Sequence, residues 1–124
     1  MNHIVRVITA IAVAVVLALT VVAQTSPRSQ LDEDAALTLL QRTINRDHVY
    51  ARRISLDCIT YGTEETTGAY FQFVLRENHN ARCGGDPQTS PVVDRYRVYR
   101  ASGKIEWLER IEGNWQRYSP AQIK

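Results

Sequence analysis

The residues of this chain best equipped for chemistry are two cysteines, Cys58 and Cys83, and the loop that carries the second of them. The stretch 77–91, ENHNARCGGDPQTSP, gathers His79, Cys83 and Asp86 with a Gly84-Gly85 pair and two prolines, Pro87 and Pro91. Four chemistries can be written with these groups. A thiolate beside an imidazole is a nucleophile if a third group orients the base, and nothing places His48 or His79 in such an arrangement. Cys58, His79, Cys83 and Asp86 are zinc-ligand types, but structural zinc is usually marked by close pairs such as C-x2-C, and neither cysteine belongs to one. Successive backbone N–H groups around 84–85 would form an anion-binding concavity, although no helix or lysine follows to strengthen it. The fourth chemistry is oxidation of the two thiols to a disulfide, which depends on the compartment.

The start of the chain supplies that compartment. Residues 1–23 read as a signal peptide: a short beginning with Arg6, then an apolar run over 7–23 broken only by Thr9 and Thr20. Val21-Val22-Ala23 offers the small residues that cleavage after Ala23 requires. A run of about 17 apolar residues also touches the lower limit for a spanning helix, so an uncleaved inner-membrane anchor is the alternative. Both readings export the remainder to the periplasm or beyond. Membrane contact follows only if the segment is uncleaved. In an oxidising compartment Cys58 and Cys83 are expected to pair. Closing about 25 residues contributes about 3.5 kcal/mol in the chain-entropy picture.

With the thiols oxidised and no serine-hydrolase G-x-S-x-G present, no catalytic residue, metal ligand or cofactor is assigned. His79, Asn80, Arg82, Gly84, Gly85 and Asp86 then form a candidate binding loop. Gly84 and Gly85 permit left-handed backbone, and Pro87 holds Asp86 extended.

The elements that must position this loop follow a change of period. After a polar linker at 24–30, residues 31–45 read as a helix. Ser29 is placed to cap it, Asp32, Glu33 and Asp34 crowd its first turn, and Ala36, Leu37, Leu40 and Ile44 recur at helical spacing. From residue 50 the period becomes two. A strand is expected over 53–61, with Ile54, Leu56 and Cys58 on one face, and a polar connection over 62–68. A second strand over 69–77 turns Phe71, Phe73 and Leu75 inward. Further strands are expected at 92–101, carrying Tyr96 and Val98, at 105–111, and briefly at 115–118. Gly103 supplies the positive φ of the turn between the first two of these. The fold class is α+β: one N-terminal helix on a four- to five-stranded antiparallel sheet, a single domain over 31–120 with a tail at 121–124. The sheet's other face would carry Arg53, Ser55, Asp57, Tyr70, Gln72, Arg76, Arg95, Arg97 and Tyr99. Of these, Tyr70, Arg76, Arg95, Arg97 and Tyr99 form a candidate binding face, because arginine and tyrosine are enriched where proteins meet.

The 124 residues hold 15 Lys+Arg against 13 Asp+Glu, formally +2. So balanced a charge argues against nucleic acid as a partner, which usually calls for a strong basic excess.

The run His79-Asn80-x-x-Cys83-Gly84-Gly85-Asp86-Pro87, followed by Ser90-Pro91, Tyr96-Arg97-Val98 and Ser102-Gly103-Lys104-Ile105, resembles a group of small exported Gram-negative bacterial proteins with an HNxxCGGDPxTxP-type loop. The 101–107 hairpin is similar to the last hairpin of PepSY-type domains. The resemblance implies a PepSY-like or cystatin-like fold, some members of which inhibit or chaperone enzymes. It brings no catalytic residues. The disulfide and the long loop depart from PepSY.

The expected function is a non-catalytic exported binding module for an envelope protein, with an inhibitor or immunity-type role against an envelope enzyme as its specific form. The competing readings are a membrane-anchored accessory domain of an envelope or secretion assembly, and a metal- or thiol-dependent enzyme.

Overall fold

A computed structural model describes residues 29–123. The expected signal peptide at 1–23 and most of the linker at 24–30 lie outside them.

Helix α1, Glu33–Arg46, buries Ala36, Leu40, Thr43 and Ile44 along one stripe. Its cap is Asp32 rather than Ser29: the Asp32 carboxylate accepts the Ala35 N–H at 2.8 Å. The shift has a tertiary cause. The Leu31 N–H donates to the Arg100 carbonyl at 2.9 Å, which holds Leu31 against the sheet and delays the helix. Glu33 and Asp34 then meet the positive end of the helix dipole and Arg46 the negative end.

Five antiparallel strands follow in simple order: β1 Ile59–Thr66, β2 Tyr70–Glu77, β3 Val92–Tyr99, β4 Ile105–Leu108 and β5 Trp115–Arg117. The fold is therefore α+β, one main helix with a five-stranded antiparallel sheet. Phe71, Phe73 and Leu75 of β2, Tyr96 and Val98 of β3, and Ile105 and Trp107 of β4 form one core with Ala36, Leu40 and Ile44 of α1. Each large apolar side chain so buried contributes about 1.5–3 kcal/mol. A short helix α2, Pro120–Ile123, returns Ile123 to this core.

The first strand lies later than the alternation at 53–61 suggests. Residues 50–53 form a turn and Leu56–Cys58 a single 3-10 turn, so Leu56 is exposed while Cys58 is buried. The strand runs instead through Gly62 and the polar Thr63-Glu64-Glu65-Thr66. An edge strand with one open side can be this polar, and its threonines favour extended backbone. The connection shrinks to 67–69. The fourth strand also ends early. Its pairing stops at Leu108, because the Glu109 carboxylate accepts the N–H groups of Ile111 and Glu112 and starts a turn.

Two bulges shape the sheet. One at Glu64 turns both Glu64 and Glu65 toward the face away from α1. The other lies at Val93 between the pairs Leu75 with Asp94 and Arg76 with Val92. It sends Val93, rather than Val92, inward beside Asp94.

Candidate functional site

The loop after β2 is closed by a disulfide, Cys58–Cys83, with Cα atoms 5.6 Å apart. Cys58 sits at the buried entry to β1, so the bond pins the loop tip to the base of the sheet. Both thiols are thereby removed as nucleophiles or metal ligands. Among the described residues no three His, Cys, Asp or Glu side chains gather in a way that could hold a metal ion.

The loop's polar groups mostly hold the loop itself. Asn80 takes up the backbone donors around the turn. Its side-chain oxygen accepts the N–H groups of Arg82 and Cys83, each at 2.9 Å, and its carbonyl accepts Gly84 N–H at 2.8 Å. The backbone donors of Arg82, Cys83 and Gly84, which an anion-binding concavity would need, are thus taken by oxygens of Asn80. The Asp86 carboxylate accepts Gln88 N–H, and its carbonyl accepts from both the backbone and the hydroxyl of Thr89. Gly84 and Gly85 have φ of 74° and 80°, the left-handed values only glycine takes readily.

His79 is the pillar under this turn. Its Nδ1 faces the Asp86 carbonyl and the Thr89 hydroxyl oxygen, both at 3.0 Å, and its Nε2 faces Glu77 at 2.8 Å. The Thr89 hydroxyl proton already goes to the Asp86 carbonyl, so both ring nitrogens meet acceptors. The imidazolium, which donates from both, is the form this setting favours. The Glu77 hydrogen bond, then the Asp86 carbonyl, raise the His79 pKa above its ordinary value. The ring also lies against Gly85, where a Cβ would come within 2.5 Å of it. Arg82 alone reaches away from the turn, to Asp57 at 2.6 Å, and both side chains are largely exposed.

The outer sheet face is the second candidate surface, and its side chains interlock. Arg95 donates two hydrogen bonds to Glu64, at 2.8 and 3.0 Å, and Gln72 donates a third. These partners hold the Glu64 carboxyl below its ordinary range. Tyr99 and Lys104 both donate to Glu106 at 2.8 Å. Arg76 donates to the Ser90 carbonyl and so joins the face to the loop. At the centre lies Arg97. Its guanidinium carbon is 4.3 Å from the Tyr70 ring centroid and 4.0 Å from that of Trp115. Tyr70 and Tyr99 meet edge to face at 5.7 Å. All five residues of the expected binding face, Tyr70, Arg76, Arg95, Arg97 and Tyr99, therefore lie on one side of β2 and β3. Arg53, Ser55 and Asp57 do not join them, because the turn and 3-10 segment take them out of the sheet.

Two features escape a reading of the sequence. The first is Trp115, whose partnership with Arg97 spans β4. The second is a buried polar network on the core side. The Asp94 side chain has no exposure, accepts two hydrogen bonds from Arg110 at 2.8 and 2.9 Å, and accepts the Tyr50 hydroxyl at 2.7 Å. The single Tyr50 proton goes to Asp94, so Tyr96 donates to Tyr50 across 2.6 Å. Burial pushes both phenols well above the ordinary tyrosine range. They stay protonated as donors, which makes this a structural tie rather than a reacting pair. The signal for it was present: Asp94 is in phase with Tyr96 and Val98, so alternation places a carboxylate on the core side.

Fold and site together define a small disulfide-stapled α+β domain with an arginine- and aromatic-rich sheet face that, among the described residues, no helix covers. No protein-family model matches the chain, and no curated protein sequence or solved structure matches it.

Proposed function

We propose that the chain is a non-catalytic exported binding module, working in the periplasm or as a secreted protein on an envelope protein, with inhibition of an envelope enzyme or an immunity-type role as its specific form. The observation that carries this reading is the outer sheet face. Among the described residues no helix lies on it, yet its arginines and aromatics are already fixed by one another. Preorganised arginine, tyrosine and tryptophan side chains lose little freedom on binding and dominate protein interfaces. The stapled loop flanks the face through Arg76 and adds a rigid edge. A PepSY-like or cystatin-like relationship is part of this proposal and rests on the resemblance of the loop and the 101–107 hairpin.

The chemistry of the loop argues in the same direction. His79, Asn80 and Asp86 have their hydrogen-bonding groups turned into the loop, so they give it shape instead of a reaction centre. The test is whether an envelope protein is captured through the face: a partner held by the wild-type chain should be released by Tyr70→Ala with Tyr99→Ala. Equal capture by that variant would remove the face from the reading. N-terminal sequencing of the exported protein tests cleavage, with a start near Gln24 expected.

A further inference from the structure

The binding-face reading can be sharpened to a single anchor. Arg95 and Arg97 are neighbours on the same side of β3, but only Arg95 is hydrogen-bonded to a carboxylate. Arg95 gives two charge-assisted hydrogen bonds to Glu64. Arg97 hydrogen-bonds only a neutral amide, Gln72 Oε1 at 3.1 Å, and stands 3.8 Å from Glu65, beyond hydrogen-bond distance. Glu65 is held back by the Tyr70 hydroxyl at 3.1 Å. Among the described residues, the buried side-chain polar atoms without partners are Arg100 Nε and Trp107 Nε1. The Nη groups of Arg97, which have no hydrogen bond, therefore reach solvent.

The register explains how they are aimed. Tyr70 lies one strand to one side of Arg97 and toward Tyr99; Trp115 lies two strands to the other side, at the level of Leu108. The two rings thus approach the guanidinium from opposite diagonals, while Gln72 takes its Nε–H and the Nη groups carry no hydrogen bond. A planar guanidinium with a free edge is a fork for a carboxylate. The face also carries the matching charge: Arg76, Arg95, Arg97, Lys104 and Arg117 against Glu64, Glu65 and Glu106.

We infer that Arg97 is the anchor for a glutamate or aspartate side chain in an acidic segment of a partner protein, which enters between the Tyr70 and Trp115 rings and replaces the long approach of Glu65. This rests on the binding-face reading and names what that face recognises.

The test is a titration of the isotope-labelled protein with a capped hexapeptide of alternating glutamate and aspartate, followed at the Arg97 Nε–H and the Trp115 indole N–H. Saturable shifts at both are expected, weakening with salt. Arg97→Lys keeps the charge but loses the fork, and should weaken binding about tenfold or more. Glu65→Gln removes the competing carboxylate and should tighten it. These opposite directions separate recognition from a general loss of fold. Shifts centred elsewhere, or no effect of either variant, would overturn the anchor. An equal response to inorganic phosphate would overturn the assignment to protein carboxylates. If a partner is captured through the face yet is indifferent to Arg97→Lys, the anchor falls while the binding module stands.

Discussion

Arg97 and Trp115 are two strands apart, yet the guanidinium carbon lies 4.0 Å from the indole centroid. The contact ties the short edge strand β5 to the middle of the sheet. A double-mutant cycle between Arg97→Gln and Trp115→Leu should give a coupling of about 0.5–1 kcal/mol, typical of a cation over an aromatic face near the surface. Additive losses in urea unfolding would mean that the two side chains do not support each other.

Asp94 and Arg110 form the tie that matters more for stability. Arg110→Ala leaves a wholly buried carboxylate with Tyr50 as its remaining hydrogen-bond donor, and should cost about 3 kcal/mol. The half-exposed Arg110 guanidinium can return to water when Asp94 is removed, so Asp94→Ala with Arg110→Ala should cost less than the two single losses combined. Unfolding by urea reads all three variants. A loss below about 0.5 kcal/mol for Arg110→Ala would place this pair with ordinary surface bridges.

Gly84 and Gly85 share a left-handed backbone but differ in their surroundings. A Cβ at Gly84 meets nothing within 4 Å, whereas one at Gly85 collides with the His79 ring. Gly84→Ala should cost about 1 kcal/mol from backbone strain alone. Gly85→Ala should cost more and should also move the His79 ring resonances. Equal effects would show that the ring yields freely.

The His79 setting gives the stability a pH slope. Its folded pKa is raised above the ordinary value by Glu77 and the Asp86 carbonyl. A histidine so raised contributes stability fully below its unfolded pKa, about 6.5, and that contribution is lost as pH rises through the folded pKa. The urea midpoint should therefore fall as pH is raised from about 6 to about 8. His79→Gln should flatten that fall. An unchanged slope in the variant would assign the titration to another group.

Much of this arrangement was legible in the sequence because burial repeats with the period of each element. Phe71, Phe73 and Leu75 alternate without interruption, and β2 lies where they place it. The Cys58–Cys83 bond is what two cysteines in an oxidising compartment would form. The first strand is not legible, because Ile54, Leu56 and Cys58 alternate by coincidence through a turn and a 3-10 segment, while the edge strand has a solvent side and the composition of a polar loop. Asp94 keeps the phase of Tyr96 and Val98, so its inward side is legible, but its partners Tyr50 and Arg110 are set by tertiary packing and are not. Trp115 gave no signal at all, since its meeting with Arg97 depends on the register of three strands together.

The central claim, that the outer sheet face holds a partner, is tested most directly by site-specific photo-crosslinking in living cells. A crosslinking side chain replaces Gln72 on the face or, as a control, Arg42 on α1. The account predicts a discrete adduct from position 72 that is lost when Arg97→Lys is added, and none of that mass from position 42. An adduct formed equally from both positions, or from position 42 alone, would contradict it.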